Sequence, residues 1–451
     1  MLRSHPRRRL RFAKREDTSL TPFVQNEGAK WQWSCFGEKL GQGSGISELM
    51  ANLGAALADG DGVKMLGGGQ PASIPELEAI WEERWQALLE NDGGLGMRQA
   101  LCLYDPPSGR LSFRKALARL LREQLGWEVS EENIAVTSGG QAAFFLLFNA
   151  LAGEMPDGNR RKILLPLVPE YIGYADQGMK EELFQVQHPL IERTVSNRFK
   201  YGIDFENLEI GEDAAAICVS RPTNPSGNVL TDEEIARLRE LARAKGIPLI
   251  IDNAYGAPFP QILFKEVEAV WDEDLIVTMS LSKLGLPATR TGIVVARPEV
   301  IRALESMTGV VSLANSNLGQ LMVEPLVENG EILRLSKEVV QPFYLEKSRQ
   351  ALQWADEFFG SEVDYAIHES EGALFLWFWF PELPISSKEL YERCKDRGVL
   401  VVPGEYFFFG EAENWSHARE CVRVSFAMAD EVVKEGMRLL AEEVKRAFRE
   451  E

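Results

Sequence analysis

The segment Leu275-Ile-Val-Thr-Met-Ser-Leu-Ser-Lys283 joins a short apolar run to a lysine flanked by hydroxyl groups. A short run of this kind, bounded by turn signals, predicts a buried strand. Ser280, Ser282 and Lys283 then lie at its carboxyl end, where a lysine of lowered pKa can form a Schiff base with a carbonyl compound. A single loop lysine is usually a solvated charge, so the interpretation depends on the residues around it.

Other short apolar runs alternate with helical patterns, such as the capping box formed by Thr231 and Glu234. These runs are Ile134–Thr137, Lys162–Val168, Ala214–Ser220, Pro248–Asp252 and Gly292–Ala296. Buried strands that alternate with helices predict an α/β fold with a mostly parallel sheet. In such a sheet, ligands bind beyond the carboxyl ends of the strands.

Unusual residues follow three of these runs. Ser138-Gly-Gly-Gln141 leads into a helix, which makes an anion site. Asp252 ends another run, and a carboxylate at that depth is expected to have a cationic partner, although a turn cap is the alternative. Arg221-Pro-Thr-Asn-Pro-Ser-Gly227 by itself predicts only a turn. Together they place an amine, a carboxylate, amide and phenol donors and a phosphate cradle at one sheet edge, which suits pyridoxal 5′-phosphate (PLP).

In order and spacing, the chain from about Trp31 onward resembles the fold-type I PLP-dependent aminotransferases. The residues that carry the resemblance are Tyr104-x4-Gly109, Asn224-Pro-Ser-Gly227, Asp252-x-x-Tyr255, Ser280-x-Ser-Lys283, Arg290 and Arg423. Within this family, the sequences of Met65–Pro71, Pro169–Asp176 and Ser280–Pro287 are most similar to those of the valine–pyruvate group. The resemblance implies an enzyme that converts L-valine and pyruvate into 3-methyl-2-oxobutanoate and L-alanine.

The resemblance also implies a role for each site residue. Lys283 would bind PLP and transfer the substrate Cα proton, and Asp252 would keep the pyridine nitrogen protonated. The remaining residues implied to bind the cofactor are Gly139, Gly140, Gln141, Tyr171, Asn224, Tyr255, Ser280, Ser282 and Arg290, with Tyr104 reaching the phosphate from the neighbouring subunit of a homodimer. The substrate carboxylate would bind Arg423 and the amide of Gly69, next to Asn224. Glu405 stands where these relatives are expected to have a histidine, so it could alter the amino donor.

The domain organisation predicted from the sequence has four parts. Residues 1–30 form a basic tail, which is expected to be disordered, and residues 31–75 pack with the small domain. The large PLP-binding domain spans residues 76–330, with a seven-stranded type of mostly parallel sheet and helices on both faces. Residues 331–451 form a smaller α+β domain.

Three other functions use the same residues or the same fold. An aminotransferase for larger donors, such as aromatic amino acids or 2-aminoadipate, would keep the whole site. A PLP-dependent β-lyase would share Lys283 and Asp252 but release pyruvate and ammonia. A PLP-sensing transcription regulator needs a winged-helix domain of about 70 residues, and only about 30 residues precede the body of the fold.

Composition excludes several classes of protein. The net charge is −19, which argues against nucleic acid as the partner, although seven of the first fifteen residues are basic. No apolar run approaches the roughly 20 residues of a membrane span, and the basic residues are not followed by a secretory signal. The five cysteines and four histidines are scattered, so we expect no metal site and a reducing, cytoplasmic location.

Overall fold

The computed structural model describes residues 32–41, 43–47, 50, 51, 54, 62–90, 95–179, 182–195, 197–410 and 415–450. The predicted basic tail, residues 1–30, lies outside the described residues. None of the helices within the described ranges is both long and apolar enough to cross a membrane.

Two sheets of the described chain, with one isolated strand pair, contain all the strands. In chain order the strands are β1 Lys64–Met65, β2 Ile134–Thr137, β3 Gly153–Glu154, β4 Arg160–Leu165, β5 Phe184–Val186, β6 Leu190–Arg193, β7 Arg198–Gly202, β8 Ala214–Ser220, β9 Leu249–Asp252, β10 Leu275–Ser280, β11 Gly292–Val295, β12 Ala366–His368, β13 Phe375–Trp379, β14 Val399–Leu400, β15 Val402–Pro403 and β16 Cys421–Ser425.

The α-helices cover the large sheet and one side of the small one. They are α1 Cys35–Gly41, α2 Pro75–Glu90, α3 Leu95–Leu101, α4 Leu111–Leu125, α5 Gly140–Leu151, α6 Asp232–Lys245, α7 Pro298–Ser312, α8 Leu318–Glu328, α9 Glu331–Leu335, α10 Gln341–Phe359, α11 Ser387–Asp396, α12 Ser416–Arg419 and α13 Asp430–Arg449.

The large sheet has the strand order β2-β11-β10-β9-β8-β4, with β5 and the two-residue β3 both paired to β4. Strands β10, β9, β8, β4 and β5 are parallel, and β11 is antiparallel to both of its neighbours. Strands β8, β9 and β10 are buried along their whole length, as their continuous apolar runs require in a sheet covered on both faces. The mostly parallel sheet predicted from the sequence is confirmed, with β3 as a short addition.

Local signals explain where several helices begin and end. Thr231 and Glu234 form the predicted capping box at the start of α6, and Gly246 ends that helix in the left-handed conformation. Pro342 lies in the first turn of α10, directly after a π-helical turn at Ser336–Val340. The chain is helical on both sides of this point, and the Gln341 amide still donates to the Ser336 carbonyl, so the proline lies where a wider turn interrupts the regular α-helical hydrogen bonds.

The small sheet has the order β15-β16-β13-β12-β7-β6. Strand β16 lies between β13 and β15, so Arg423 is opposite Trp377 on one side and Val402 on the other. The chain before α2 joins this region, because β1 pairs with β14 and Leu66 accepts a hydrogen bond from the backbone of Ser425. The glycines at 67–69 are thereby held where the two sheets meet.

Candidate active site

Lys283 lies on a 3₁₀ turn, Leu281–Leu284, directly after β10. Its amine donates a hydrogen bond to the carbonyl oxygen of Gly69 and lies 5.2 Å from the centre of the Tyr255 ring. Burial lowers the pKa of Lys283 to about 8, and the positive charges of Arg423 and Arg290 act in the same direction. The structure therefore places an amine that loses its proton near neutral pH at the carboxyl edge of the large sheet.

Asp252 ends β9, next to Ser220 at the end of β8. Its carboxylate accepts hydrogen bonds from the Tyr174 hydroxyl at 2.5 Å, the Ala254 amide at 2.9 Å and the Thr278 hydroxyl at 3.2 Å. Burial raises the pKa of Asp252, and these donors oppose that shift. None of the described cations forms a salt bridge with Asp252; neutral donors contact it directly, and the positive charge of Lys283 also lowers its pKa from a greater distance.

The glycine-rich segment after β2 forms a cradle at the start of α5. Gly139 has a φ of 87°, and a Cβ at this position would lie 2.2 Å from a guanidinium nitrogen of Arg290. The guanidinium donates to the Ser138 carbonyl at 3.4 Å. A cation close to the N-terminus of a helix makes a strong anion site, since the free N–H groups and the helix dipole both favour negative charge.

The neighbouring hydroxyls belong to the same edge of the sheet. Ser280 donates to the Ser282 hydroxyl at 3.0 Å and accepts from the Ser282 amide at 3.1 Å. Gln141, in the first turn of α5, donates its side-chain amide to the Gly173 carbonyl at 2.8 Å. The predicted residues Gly139, Gly140, Gln141, Ser280, Ser282 and Arg290 therefore lie on adjoining segments at the ends of β2 and β10 and the start of β11.

Tyr171 lies on the loop that follows β4, and its ring covers Gly173. A Cβ on Gly173 would lie 2.3 Å from the Tyr171 ring, so only glycine permits this arrangement. Burial raises the pKa of the Tyr171 hydroxyl, with Asp252 acting in the same direction and Arg423 against it. The electrostatic influence of both groups on Tyr171 is consistent with a ring close to the two charged side chains.

Arg423 is only 2% exposed. Its guanidinium donates to the Asn224 side-chain oxygen at 2.6 Å and to the Gly67 carbonyl at 2.8 Å, and Nε is buried with no hydrogen-bond partner. None of the described carboxylates forms a salt bridge with it, and burial lowers the pKa of Arg423 to about 10. The interdomain ion pair that a buried arginine usually forms is absent among these residues, so the cation is available to an anionic ligand.

Tyr104 is 83% exposed and does not join the other predicted residues in this chain. It follows the exposed side chains of Leu101 and Leu103, on a loop that Asn317 holds through the Leu103 carbonyl at 2.9 Å. An aromatic side chain so fully exposed contributes nothing to the core of its own chain. The role predicted for Tyr104 toward a neighbouring subunit stays a prediction.

Glu405 is bound to a helix. Its carboxylate accepts from the Ser387 hydroxyl at 2.7 Å and from the Lys388 amide at 3.0 Å, at the start of α11. A carboxylate at this position satisfies a free N–H group and interacts favourably with the helix dipole. Neither of these contacts is with a residue of the site, so they give no support to the expected influence of Glu405 on the amino donor.

Three residues of this region were missed from the sequence. Tyr174 donates to Asp252, Gly67 accepts from Arg423, and Gly292 lies so close to the cradle that a Cβ would come within 2.6 Å of the Gly139 backbone. Tyr174 lies within Pro169–Asp176, a stretch already noted for its resemblance, whereas a backbone carbonyl such as that of Gly67 leaves no signal in a sequence.

The fold and the site define a PLP-type transferase: a lysine and an aspartate at the carboxyl ends of parallel strands, a phosphate cradle, and an unpaired buried arginine. The family model for aminotransferase class I and II matches residues 70–440. The chain belongs to this family, which is PLP-dependent.

Several relatives are similar over almost the whole chain. Valine–pyruvate aminotransferase of Escherichia coli strain K12 is 46% identical over 418 residues, which cover 93% of this chain and 99% of that protein. The crystal structure of valine–pyruvate aminotransferase from Salmonella typhimurium LT2 has a TM-score of 0.82 and 45% identity, with 90% and 100% of the chains covered. A putative amino-acid aminotransferase structure from Psychrobacter arcticum 273-4 has a TM-score of 0.90 and 42% identity, with 93% and 100% covered.

Proposed function

We propose that this protein catalyses the PLP-dependent exchange of an amino group between L-valine and pyruvate, which gives 3-methyl-2-oxobutanoate and L-alanine. The observation that carries the proposal is the convergence of Lys283, Asp252 and Arg423, since the pKa of Lys283 responds to both other charges. The valine–pyruvate assignment is supported by the relative that is 46% identical over 418 residues.

The residues present fit PLP as a bound group. The cradle at Gly139 accepts no side chain of its own, and Arg290 and the start of α5 supply positive charge for a phosphate. Asn224 turns its side-chain oxygen toward Arg423, which leaves the amide nitrogen to donate to a cofactor oxygen, as Tyr255 would. When bound, PLP supplies an electron sink for the charge that develops at the substrate Cα.

Lys283 has the properties of the general base and acid. A pKa of about 8 means that the amine both accepts and returns a proton near neutral pH, where proton transfer is most effective. Lys283 would take the proton from Cα of the amino acid and pass it to the bound cofactor, and would move it in the opposite direction when the 2-oxo acid reacts. Asp252, held by three donors, would keep a proton on the pyridine nitrogen throughout.

Arg423 would orient the substrate by its carboxylate. The unpaired Nε and a terminal nitrogen can bind both carboxylate oxygens as a fork, which fixes the direction of the Cα–H bond. The Gly69 amide would add a further donor. A buried cation that lacks an anion in the protein makes carboxylate-bearing substrates strongly preferred over simple amines.

We also propose a homodimer with shared active sites. Support comes from exposed apolar side chains near Tyr104, because Asn315 joins the Pro107 carbonyl to the C-terminal end of α7, where Val310, Val311 and Leu313 are exposed. The four-part domain division given above remains part of this proposal, with a large domain at 76–330 and a small domain at 331–451. Free cysteines throughout the described chain agree with a reducing, cytoplasmic location.

The test is a half-reaction on the purified protein supplied with PLP, followed by the absorbance of the bound cofactor. L-Valine, L-alanine, L-glutamate and L-phenylalanine are added singly, and pyruvate is added afterwards. Rapid conversion of the cofactor to its amino form by valine and alanine, reversed by pyruvate, is the expected result. The Lys283→Ala variant serves as the control and is expected to bind PLP without this conversion.

Each alternative function has its own outcome in this experiment. Faster conversion by phenylalanine or glutamate would keep the chemistry but replace the substrates. Release of pyruvate and ammonia from cysteine-type amino acids would indicate a β-lyase. The absence of any cofactor absorbance after incubation with PLP would refute the enzyme assignment.

A further inference from the structure

Glu170 is a buried carboxylate beside the site that none of the functions above employs. It lies directly before Tyr171 on the loop after β4 and is 1% exposed. Its carboxylate accepts hydrogen bonds from the Ser220 amide at 2.9 Å, the Ser220 hydroxyl at 2.7 Å and the Tyr171 amide at 3.2 Å. None of the described lysine, arginine or histidine side chains forms a salt bridge with it.

The groups that contact Glu170 belong to three parts of the site. Tyr171 carries the ring that covers Gly173. Ser220 ends β8 and is in register with Asp252, and the next residue donates its amide to the Asp252 carbonyl at 2.8 Å. The Glu170 amide donates to the Phe407 carbonyl at 3.1 Å, and the Phe407 ring lies 5.0 Å from the Arg423 guanidinium carbon.

The chemistry of this position is specific to a carboxylate. Three N–H and O–H donors converge on it, and an ionised carboxylate is the side chain that only accepts hydrogen bonds. Glutamine would present an NH₂ group to at least one of these donors, and alanine would leave all three without a partner.

Burial raises the pKa of Glu170 to about 7, and the nearby Asp252 charge acts in the same direction, while the three donors oppose it. Cys218 on β8 and Tyr174 on the same loop also face this carboxyl group. A raised carboxyl pKa means that burial is only partly offset, so ionised Glu170 reduces the stability of the fold. Residues of this kind are retained where they serve function rather than stability.

We propose that Glu170 is a positioning residue of the transamination site, which holds the Tyr171 ring in register with the strand end that carries Asp252. This inference rests on the function proposed above. Glu170 touches neither substrate nor cofactor in this role and acts through the backbone of Tyr171 and through Ser220.

The test uses the PLP-loaded enzyme and the variant Glu170→Gln, which keeps the size of the side chain and removes its charge. We expect kcat for L-valine to fall about tenfold and KM to change less than threefold, because the carboxylate site at Arg423 is intact. The absorbance of the bound cofactor should also titrate at a different pH. The melting temperature should change little, because the lost hydrogen bond and the removal of a buried charge act in opposite directions.

A matched control and a cycle distinguish positioning from folding. Glu443→Gln neutralises an equally buried carboxylate on α13, which Arg397 contacts at 3.4 Å and which touches none of the proposed site residues, and it should leave kcat and the cofactor spectrum unchanged. In a Tyr171→Ala background, Glu170→Gln should reduce kcat much less than in the wild type, because the two residues act together.

Two results would overturn the inference. One is a Glu170→Gln enzyme with the kcat and cofactor titration of the wild type. The other is a loss of activity that is fully additive with Tyr171→Ala and matched by a fall in melting temperature. Either result, obtained with a wild-type enzyme that converts valine, would reject the role of Glu170 while leaving the proposed function intact.

Discussion

Asp252 and Arg423 are both buried charged groups of one site, yet their surroundings differ in kind. Asp252 ends a parallel strand and has three hydrogen-bond donors within the protein. Arg423 lies on the antiparallel small sheet, with two neutral acceptors, an unpaired Nε and no carboxylate partner among the described residues. The hydrogen bonds of Asp252 are therefore supplied by the protein, whereas Arg423 can still accept an anionic ligand, as the proposed function requires.

The difference follows from what each group has to do. In the proposed function, Asp252 would stay at a constant position and keep a proton on the pyridine nitrogen, so rigid neutral donors suit it. Arg423 would bind and release a carboxylate in every cycle, so a permanent anionic partner would compete with the substrate. A buried cation without an ionic partner reduces stability.

The largest effect on activity is expected for Asp252→Asn, which removes the charge of the carboxylate that has three donors in the protein. The amide has no negative charge to hold a proton on the pyridine nitrogen, so kcat should fall about 10²–10³-fold, the size of losses seen when one electrostatic stabiliser is removed. Activity per bound PLP, from absorbance and the half-reaction rate, is the measurement. A fall in activity that only follows a fall in PLP content would contradict this role.

The next largest effect is expected for Arg423→Lys, which changes the guanidinium that has no carboxylate partner among the described residues. Lysine keeps the positive charge but cannot form a planar fork, so kcat/KM for L-valine should fall about 10²-fold. Isobutylamine, which is valine without its carboxylate, provides the control. Its slow conversion should be almost unaffected, and an equal loss for both amines would show that Arg423 does not bind the carboxylate.

Lys283, a third buried charged group of the site, is expected to affect the stability of the protein. Because burial lowers the pKa of Lys283 to about 8 from 10.5, the unfolded chain binds more protons than the folded chain between these values. Lys283→Met should therefore stabilise the PLP-free protein by about 1–2 kcal/mol at pH 7.

The pH dependence of this difference provides its check. The free energy of unfolding, measured with urea in the absence of PLP, should become more similar for wild type and variant as the pH rises from 8 toward 10.5. A wild type that is more stable than Lys283→Met at pH 7, or a difference independent of pH, would contradict the prediction.

The smallest functional effect is expected for Glu405→Ala. Since this carboxylate binds the start of α11, its loss should destabilise the protein by about 1 kcal/mol. The ratio of kcat/KM for valine and phenylalanine should change less than about threefold, near the lower limit of what an apolar pocket discriminates. A tenfold change in this ratio would show that Glu405 influences the choice of amino donor.

Much of the fold could be predicted because its signals are local. Strands β2 and β8 have the predicted bounds, and β9 and β10 differ from the prediction by one residue. Each is an apolar run of four to seven residues between turn signals, a length that favours a buried strand over a helix. The location of Lys283 and Asp252 at strand ends follows from the same pattern.

The contacts between side chains could not be predicted in the same way. The sequence predicted a cationic partner for Asp252, and the shortest contact in the structure is with Tyr174, which is 78 residues away along the chain. Glu405 was expected to be able to alter the amino donor, and in the structure it binds Ser387. Which side chains contact each other depends on the paths of the loops across the edge of the sheet, and hydrophobic periodicity does not predict these paths.

The α/β fold, the order of its strands and helices, and the residue types at the carboxyl edge of the large sheet all follow from the amino-acid sequence. They do so because hydrophobic periodicity and turn residues act over a few positions. The contacts of the buried charges are seen only in the folded protein: Arg423 has no carboxylate partner among the described residues, the Gly67 carbonyl accepts from it, and Glu170 joins Tyr171 to Ser220. Burial and hydrogen bonding of a charge depend on segments far apart in the chain, and these meet only when both sheets have formed.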